Sequence, residues 1–117
     1  MALAHRRALS PAASVTLTYR VPARRRRSFL LFLRRAFDVY EEPRGVTMRL
    51  FESLDEPGLF HEVVEYASTK AYLRDQARVE KDPRVVAVLQ EFRAFLSAAP
   101  AVHRLRQVRV ARRRRSP

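Results

Sequence analysis

The chain has no cysteine, which excludes disulfides, thiol nucleophiles and thiolate metal sites. It also lacks tryptophan and asparagine, and it has only two glycines, Gly45 and Gly58, so a glycine-rich phosphate loop is absent. No apolar run approaches the roughly 18 residues that a membrane-spanning helix needs. The arginines near the N-terminus are not followed by the apolar stretch of a secretory signal. We therefore expect a cytoplasmic protein with no membrane partner.

Positive charge dominates, and almost all of it is arginine. The formal net charge is +12, with 22 arginines against two lysines, and seven arginines lie in residues 104–117. We predict a flexible segment at 1–13, one domain at 14–110 and an Arg-rich tail at 111–117. Such a tail attracts nucleic acid or anionic lipid without specificity, or only keeps the chain in solution. The composition leaves these alternatives open.

Residues 46–67 predict a β-hairpin. Two segments rich in β-branched and aromatic residues flank the turn sequence DEPG at 55–58, in which Pro57 fixes φ and Gly58 tolerates a positive φ. If Leu54 lies opposite Leu59, the alternation of side chains defines two faces. One face then carries Thr47, Arg49, Phe51, Phe60, Glu62, Val64 and Tyr66, and the other carries Val46, Met48, Leu50, Leu59, His61 and Val63.

The spacing of apolar residues assigns the remaining elements. Strands are predicted at 14–21 and 101–110, and helical regions at 23–42 and from 69 to about 97. Ser68 is a typical N-cap, and Asp82 followed by Pro83 is a second helix start, so the later helical region is expected to be interrupted there. The order predicts an α+β, ferredoxin-like β-α-β-β-α-β antiparallel sheet with two helices on one face.

Neither face of the predicted hairpin is simply polar, and two helices can cover only one of them. The other face would expose a contiguous set of apolar side chains, which a monomer seldom does. Another copy of the chain, packed sheet to sheet about a two-fold axis, would cover it. We therefore predict a homodimer, with His61 near the interface.

The runs SLDEPGLF at 53–60 and EYASTKAY at 65–72 resemble the antibiotic biosynthesis monooxygenase-like domains of the dimeric α/β-barrel superfamily. The resemblance covers about residues 14–110. The chain is more similar still to the soluble domain of this type that is appended to some major facilitator transporters. That similarity rests on Leu50-Phe51-Glu52, Pro57-Gly58, Glu62, Ser68, Leu73-Arg74, Arg78, Asp82 and Pro100-Ala101-Val102-His103.

The resemblance implies a dimeric α/β barrel with a ligand pocket between the sheet and the helices of each subunit. It also implies cofactor-independent monooxygenation of an aromatic or quinol-like substrate, without metal or flavin. In such enzymes the pocket carries some of Asn, Trp, Tyr, His and Arg. Tyr66 stands where these enzymes often have Trp, and Tyr19 stands where haem-degrading relatives have Asn. No cofactor is therefore expected.

Aromatic rings together with one arginine and one carboxylate suit a planar, partly anionic ligand. The predicted catalytic residues are Arg49, Glu62 and His103, and the predicted ligand-binding residues are Tyr19, Phe51, Tyr66 and Tyr72. Arg49 would stabilise an oxyanion, Glu62 or His103 would take a proton, and the tyrosines would hold the ring. The alternative is a packed core with a cross-strand Arg49–Glu62 pair.

Two other functions remain open, a non-catalytic binding or structural module and an electrostatic nucleic-acid binder that acts through the Arg-rich tail. Sequence-specific RNA binding is disfavoured because the predicted third strand, 59–66, has two acids and no glycine. No metal site is expected, since histidines and carboxylates do not recur at ligand spacing.

Overall fold

The computed structural model describes residues 12–111, which form a four-stranded antiparallel sheet with helices packed on one face. Its strands are β1 (Ala13–Arg20), β2 (Val46–Glu52), β3 (Leu59–Tyr66) and β4 (Ala101–Arg106). Its helices are α1 (Arg26–Tyr40), preceded by a 3-10 turn (Ala23–Arg25), then α2 (Thr69–Lys81) and α3 (Pro83–Phe95). The strand order β2-β3-β1-β4 confirms the predicted ferredoxin-like α+β fold. Most of the predicted segment 1–13 and of the tail 111–117 lies outside the described residues.

Side-chain caps define the two helices that follow the hairpin. The Ser68 hydroxyl accepts a hydrogen bond from the backbone N–H of Ala71 at 3.0 Å, which starts α2. The Asp82 carboxylate accepts one from the backbone N–H of Arg84 at 2.9 Å, and Pro83 takes the first position of α3. Asp82 itself is extended, with ψ of 115°, so the predicted interruption of the helical region is confirmed.

Helix α1 carries basic residues at its N-terminal end and acidic residues at its C-terminal end, opposite to the preference of the helix dipole. Several of these charges have partners elsewhere. Arg26 pairs with Glu52 at 2.6 Å, and Glu42 pairs with Arg84 at 2.8 Å. Glu41 accepts a hydrogen bond from a backbone amide of β2 at 2.8 Å. The helix is therefore stabilised by tertiary contacts and by the burial of its apolar face.

The core between the sheet and the helices has an aromatic part and a second part that is mostly aliphatic. The aromatic part is formed by Tyr19, Phe29, Phe32, Phe60, Phe92 and Phe95, whose interacting ring centroids are 4.9–6.5 Å apart. The second part is formed by Val15, Val46, Met48, Val64, Tyr66 and Ala71. Leu17, Phe37 and Tyr40 are partly buried and pack against both parts.

The register of the hairpin differs by one residue from the expected one. Leu50 pairs with Glu62, and Glu52 pairs with Phe60. The reason lies in Ser53. Its hydroxyl accepts hydrogen bonds from the backbone amides of Asp55 and Glu56, at 3.2 and 3.1 Å. The chain therefore leaves the strand before Leu54, which is fully exposed in the loop. Because the side-chain period is two, this shift moves the whole of β2 to the opposite face.

The sheet consequently has an inner face against the helices and an outer face that no described element covers. The outer sheet face consists of Ser14, Thr16, Thr18, Arg20, Thr47, Arg49, Phe51, Leu59, His61, Val63, Glu65, Ala101, His103 and Leu105. The expected Arg49–Glu62 pair is wrong, because Arg49 lies on the outer sheet face and pairs with Glu65 at 2.7 Å.

Candidate ligand-binding site

Glu62 is a carboxyl group buried near the middle of the inner face, with 4% of its surface exposed. The Tyr19 hydroxyl donates a hydrogen bond to it at 2.9 Å. Burial raises the pKa of Glu62 to about 7, although the Tyr19 hydrogen bond acts in the opposite direction. Glu62 is therefore close to half ionised at neutral pH and can both accept and release a proton there.

Tyr40, at the C-terminal end of α1, brings a second hydroxyl group to this region. Burial, and then the charge of Glu62, raise the pKa of Tyr40. The two side chains therefore interact electrostatically. The Tyr40 hydroxyl is buried and has no hydrogen-bond partner among residues 12–111. A buried hydroxyl without a partner costs free energy, which makes it a candidate for contact with a ligand.

A second polar network lies beside Tyr40. Asp75 is 7% exposed, and its carboxylate accepts a hydrogen bond from the Tyr66 hydroxyl at 2.6 Å. Arg78 contacts the same carboxylate at 3.2 Å and donates to the backbone carbonyls of Val39 and Tyr40 at 2.7 and 2.8 Å. Burial first, and then the hydrogen bond to Asp75, raise the pKa of Tyr66. Arg78 thus joins α2 to the last carbonyls of α1.

The predicted site residues fall on two faces of the sheet. Tyr19, Glu62 and Tyr66 are on the inner face, and Tyr72 reaches it from α2, with its ring 5.2 Å from that of Tyr66 in an edge-to-face contact. The three others, Arg49, Phe51 and His103, lie on the outer sheet face. The expectation that one arginine, one carboxylate and the aromatic rings share a face is therefore wrong, since the register places Arg49 and Phe51 away from Glu62.

Three residues of the two networks were not among the predicted site residues. Asp75 and Arg78 lie three residues apart on α2, and an acid and a base at this spacing beside apolar positions is the signal that could have identified them. Tyr40 occupies one of the apolar positions of α1, and nothing in the sequence distinguishes it from the core residues of that helix. Its unpartnered hydroxyl depends on tertiary packing.

No family model matches the sequence, and no curated protein matches it. Solved structures do match. SnoaB, a cofactor-independent oxygenase from Streptomyces nogalater studied as a variant, is 14% identical over 82% of this chain and 94% of its own, with a TM-score of 0.64. Two proteins assigned to the antibiotic biosynthesis monooxygenases also match. The one from Deinococcus radiodurans is 12% identical over 87% and 98% of the two chains, with a TM-score of 0.68.

The other, from Bordetella bronchiseptica, is 19% identical over 85% of this chain and 99% of its own, with a TM-score of 0.62. The chain has the fold of the antibiotic biosynthesis monooxygenase-like proteins. In this monooxygenase-like fold Glu62 and Tyr40 lie between the sheet and the helices, which is the place where the resemblance implied a ligand.

Two further features of residues 12–111 concern metal binding and the membrane. Histidines and carboxylates do not cluster there in a group of three or more that could hold a metal ion. Within the same residues, the helices are too short or too polar to cross a membrane.

Proposed function

We propose that this protein binds a small aromatic or quinol-like molecule between the sheet and the helices, with Glu62 as its proton acceptor. The observation that supports this best is a buried carboxyl, whose pKa is about 7, together with the Tyr40 hydroxyl, which is buried in the same core and has no hydrogen-bond partner among residues 12–111. A phenolic or enolic group of the ligand would donate to Glu62 and accept from Tyr40. Titratable groups perturbed in this way are concentrated at functional sites.

A purely structural role accounts poorly for Glu62. A buried carboxyl with a single hydrogen-bond donor destabilises the folded chain whenever it is ionised, and an apolar or amide side chain in its place would avoid that cost. Retaining the carboxyl is therefore more readily explained by a need to exchange a proton with something bound there.

The leading enzymatic hypothesis is cofactor-independent monooxygenation. Glu62 would remove a proton from the ligand and leave an electron-rich anion that reacts with dioxygen. One oxygen atom would enter the substrate as a carbonyl, and the other would leave as water with two hydrogens of the substrate. Tyr66 and Tyr72 would bound the ring on the α2 side, as expected from the sequence.

The roles first given to Arg49 and His103 fit less well, because both lie on the outer sheet face. The positive charges that act on Tyr40 are those of Arg78 and Arg93, which oppose the rise of its pKa. Arg78 already holds Asp75 and two carbonyls. We therefore no longer propose Arg49 as the group that stabilises an oxyanion.

We also propose that the protein forms a homodimer through the outer sheet face. Phe51 and Leu105 are 50% and 52% exposed there, and no described element covers them. A second copy placed sheet to sheet about a two-fold axis would bury both residues. The closer similarity to a transporter-appended domain and the cytoplasmic location stay predictions.

The ligand proposal is tested with 1,8-dihydroxyanthrone as the probe, followed by difference absorbance for binding and by an oxygen electrode for turnover. Glu62→Gln and Tyr40→Phe should each weaken binding about tenfold or more, since each removes one hydrogen bond to the ligand. Glu65→Gln is the matched control, because it removes a carboxylate from the other face of the same strand.

Each outcome is informative. Binding with oxygen uptake that is lost in Glu62→Gln supports the monooxygenase. Binding without oxygen uptake supports the non-catalytic binding module. Equal binding by the wild type, Glu62→Gln and Tyr40→Phe would show that the ligand does not use this site.

A further inference from the structure

One face of α1 points away from the core and carries three arginines around a leucine. Arg27, Leu31 and Arg34 follow one another at spacings of four and three residues, which places them in a row along one side of α1, and Arg24 lies three residues before Arg27 in the 3-10 turn that precedes the helix. All four are exposed, and Leu31 is 55% exposed. We call these residues the arginine face of α1.

The arginines of this face differ from their neighbours in having no partner. Arg26 pairs with Glu52, and Arg35 pairs with Glu91 at 2.8 Å. By contrast, Arg24, Arg27 and Arg34 make no ion pair or hydrogen bond with any of residues 12–111. Arg27 lies in the first turn of α1, and Arg24 lies in the 3-10 turn just before it, where the helix dipole disfavours positive charge. The folded chain therefore gains little from them, and they remain available for an external anion.

The same face contains an open groove with an apolar floor. The groove has a volume of about 510 Å³ and is lined by Ala23, Arg26, Arg27, Leu30, Leu31 and Arg34. Apolar side chains thus lie between guanidinium groups on one surface. This combination matches an anionic partner that also offers apolar contact.

We propose that the arginine face of α1 docks on an anionic lipid bilayer. The guanidinium groups would contact lipid phosphates and carboxylates, and Leu31 would enter the apolar boundary beneath the headgroups. A nucleic acid backbone would use the arginines but not Leu31, and the face has no exposed aromatic ring on which a base could stack. This surface contact departs from the sequence-based expectation that membranes are not partners, and it requires no helix that crosses the bilayer.

Because the chain has no tryptophan, a single introduced tryptophan reports on one position. Leu31→Trp places the reporter on the arginine face. Leu73→Trp is the matched control, since Leu73 is 60% exposed on α2. Each full-length variant is mixed with vesicles of phosphatidylcholine alone or of phosphatidylcholine with phosphatidylserine.

The emission of Leu31→Trp should shift to shorter wavelength and lose its quenching by iodide only with the anionic vesicles, while Leu73→Trp should change little. Co-sedimentation provides a second measurement. Arg27→Glu with Arg34→Glu should weaken vesicle binding by roughly thirtyfold or more, because each basic residue at an anionic surface contributes about fivefold. Lys70→Glu with Arg74→Glu changes the net charge equally on α2 and should have a much smaller effect.

Equal losses in the two double variants, or equal spectral shifts at the two reporters, would overturn the proposal, because the attraction would then reflect net charge alone. If Arg27→Glu with Arg34→Glu instead reduces retention of a DNA duplex and spares vesicle binding, the surface binds nucleic acid and the proposal is also overturned. If that double variant fails to fold by circular dichroism, the two tryptophan reporters still test the proposal.

Discussion

The buried carboxyl of Glu62 lowers the stability of the fold when it is ionised, and it can also exchange a proton near pH 7. Burial raises its pKa from 4.5 to about 7, so the folded chain holds a proton that the unfolded chain releases over this range. Below pH 4.5 both states are protonated and the burial of Glu62 has no electrostatic cost. Above pH 7 the ionised side chain opposes folding in full. Stability should therefore fall as the pH rises through this window.

We predict that Glu62→Gln removes this dependence. The amide oxygen can still accept from Tyr19, but it does not titrate. Relative to the wild type, the free energy of unfolding of Glu62→Gln should rise by about 3 kcal/mol between about pH 5 and about pH 8. Urea unfolding followed by circular dichroism at several pH values would measure the difference.

The control for this prediction is Glu65→Gln, which keeps Glu62 and should keep the wild-type pH dependence of stability. A wild-type chain whose stability rises over the same pH range would contradict the assignment of a raised pKa to Glu62.

At the scale of elements, Arg78 is the main polar link between α1 and α2. Its guanidinium donates to the carbonyls of Val39 and Tyr40 at the C-terminal end of α1, and it forms an ion pair with Asp75. The side chains of Arg78 and Asp75 are 15% and 9% exposed, so the pair is largely removed from water. Replacing one member of such a pair leaves the other charge buried without a partner, which strongly destabilises the fold.

We predict that Arg78→Met lowers the free energy of unfolding by about 3–5 kcal/mol, because Asp75 is left buried without a cation. Arg84→Met should have a much smaller effect, since Arg84 and Glu42 are both largely exposed. Thermal and urea unfolding of the two variants would compare them. Similar losses in both would show that Arg78 acts only as a surface charge.

The hairpin shows how far the sequence could predict these elements. The alternation of residues, the turn containing Gly58 and the caps at Ser68 and Asp82 all predicted elements that are present. The register could not be predicted, because it depends on where the chain leaves β2, and Leu54 looks as suitable for a strand as for a loop. The Ser53 hydroxyl resolves that choice through two backbone contacts. Arg49 and Phe51 were therefore expected on the wrong face of the sheet.

The electrostatic interaction between Tyr40 and Glu62 illustrates a second limit. The two residues are 22 positions apart and lie on different elements, so only the packing of α1 over the sheet brings them together. Sequence spacing predicts neighbours within a helix or a strand, but it does not give the position at which a helix crosses a sheet.

For the whole molecule, the outer sheet face decides the expected assembly. If two copies meet there, the native mass should be about twice 13.6 kDa. We predict that Phe51→Glu with Leu105→Glu gives a monomer. Light scattering of the full chain would measure the mass.

Leu54→Glu is the control for the assembly, since Leu54 is fully exposed in the hairpin loop and not on the outer sheet face. It should leave the dimer intact. A wild-type chain that remains a monomer at high protein concentration would refute sheet-to-sheet pairing and would leave that face for another protein to cover.

The half-ionised state of Glu62 has a further consequence for calorimetry. A ligand that binds preferentially to the protonated or to the ionised form of Glu62 changes the fraction of chains in which this carboxyl is protonated. Near pH 7 the protein must then exchange up to about half a proton per chain with the buffer. The heat of binding would include the ionisation enthalpy of the buffer. Titrations in phosphate and in Tris should therefore give different apparent enthalpies for the same affinity.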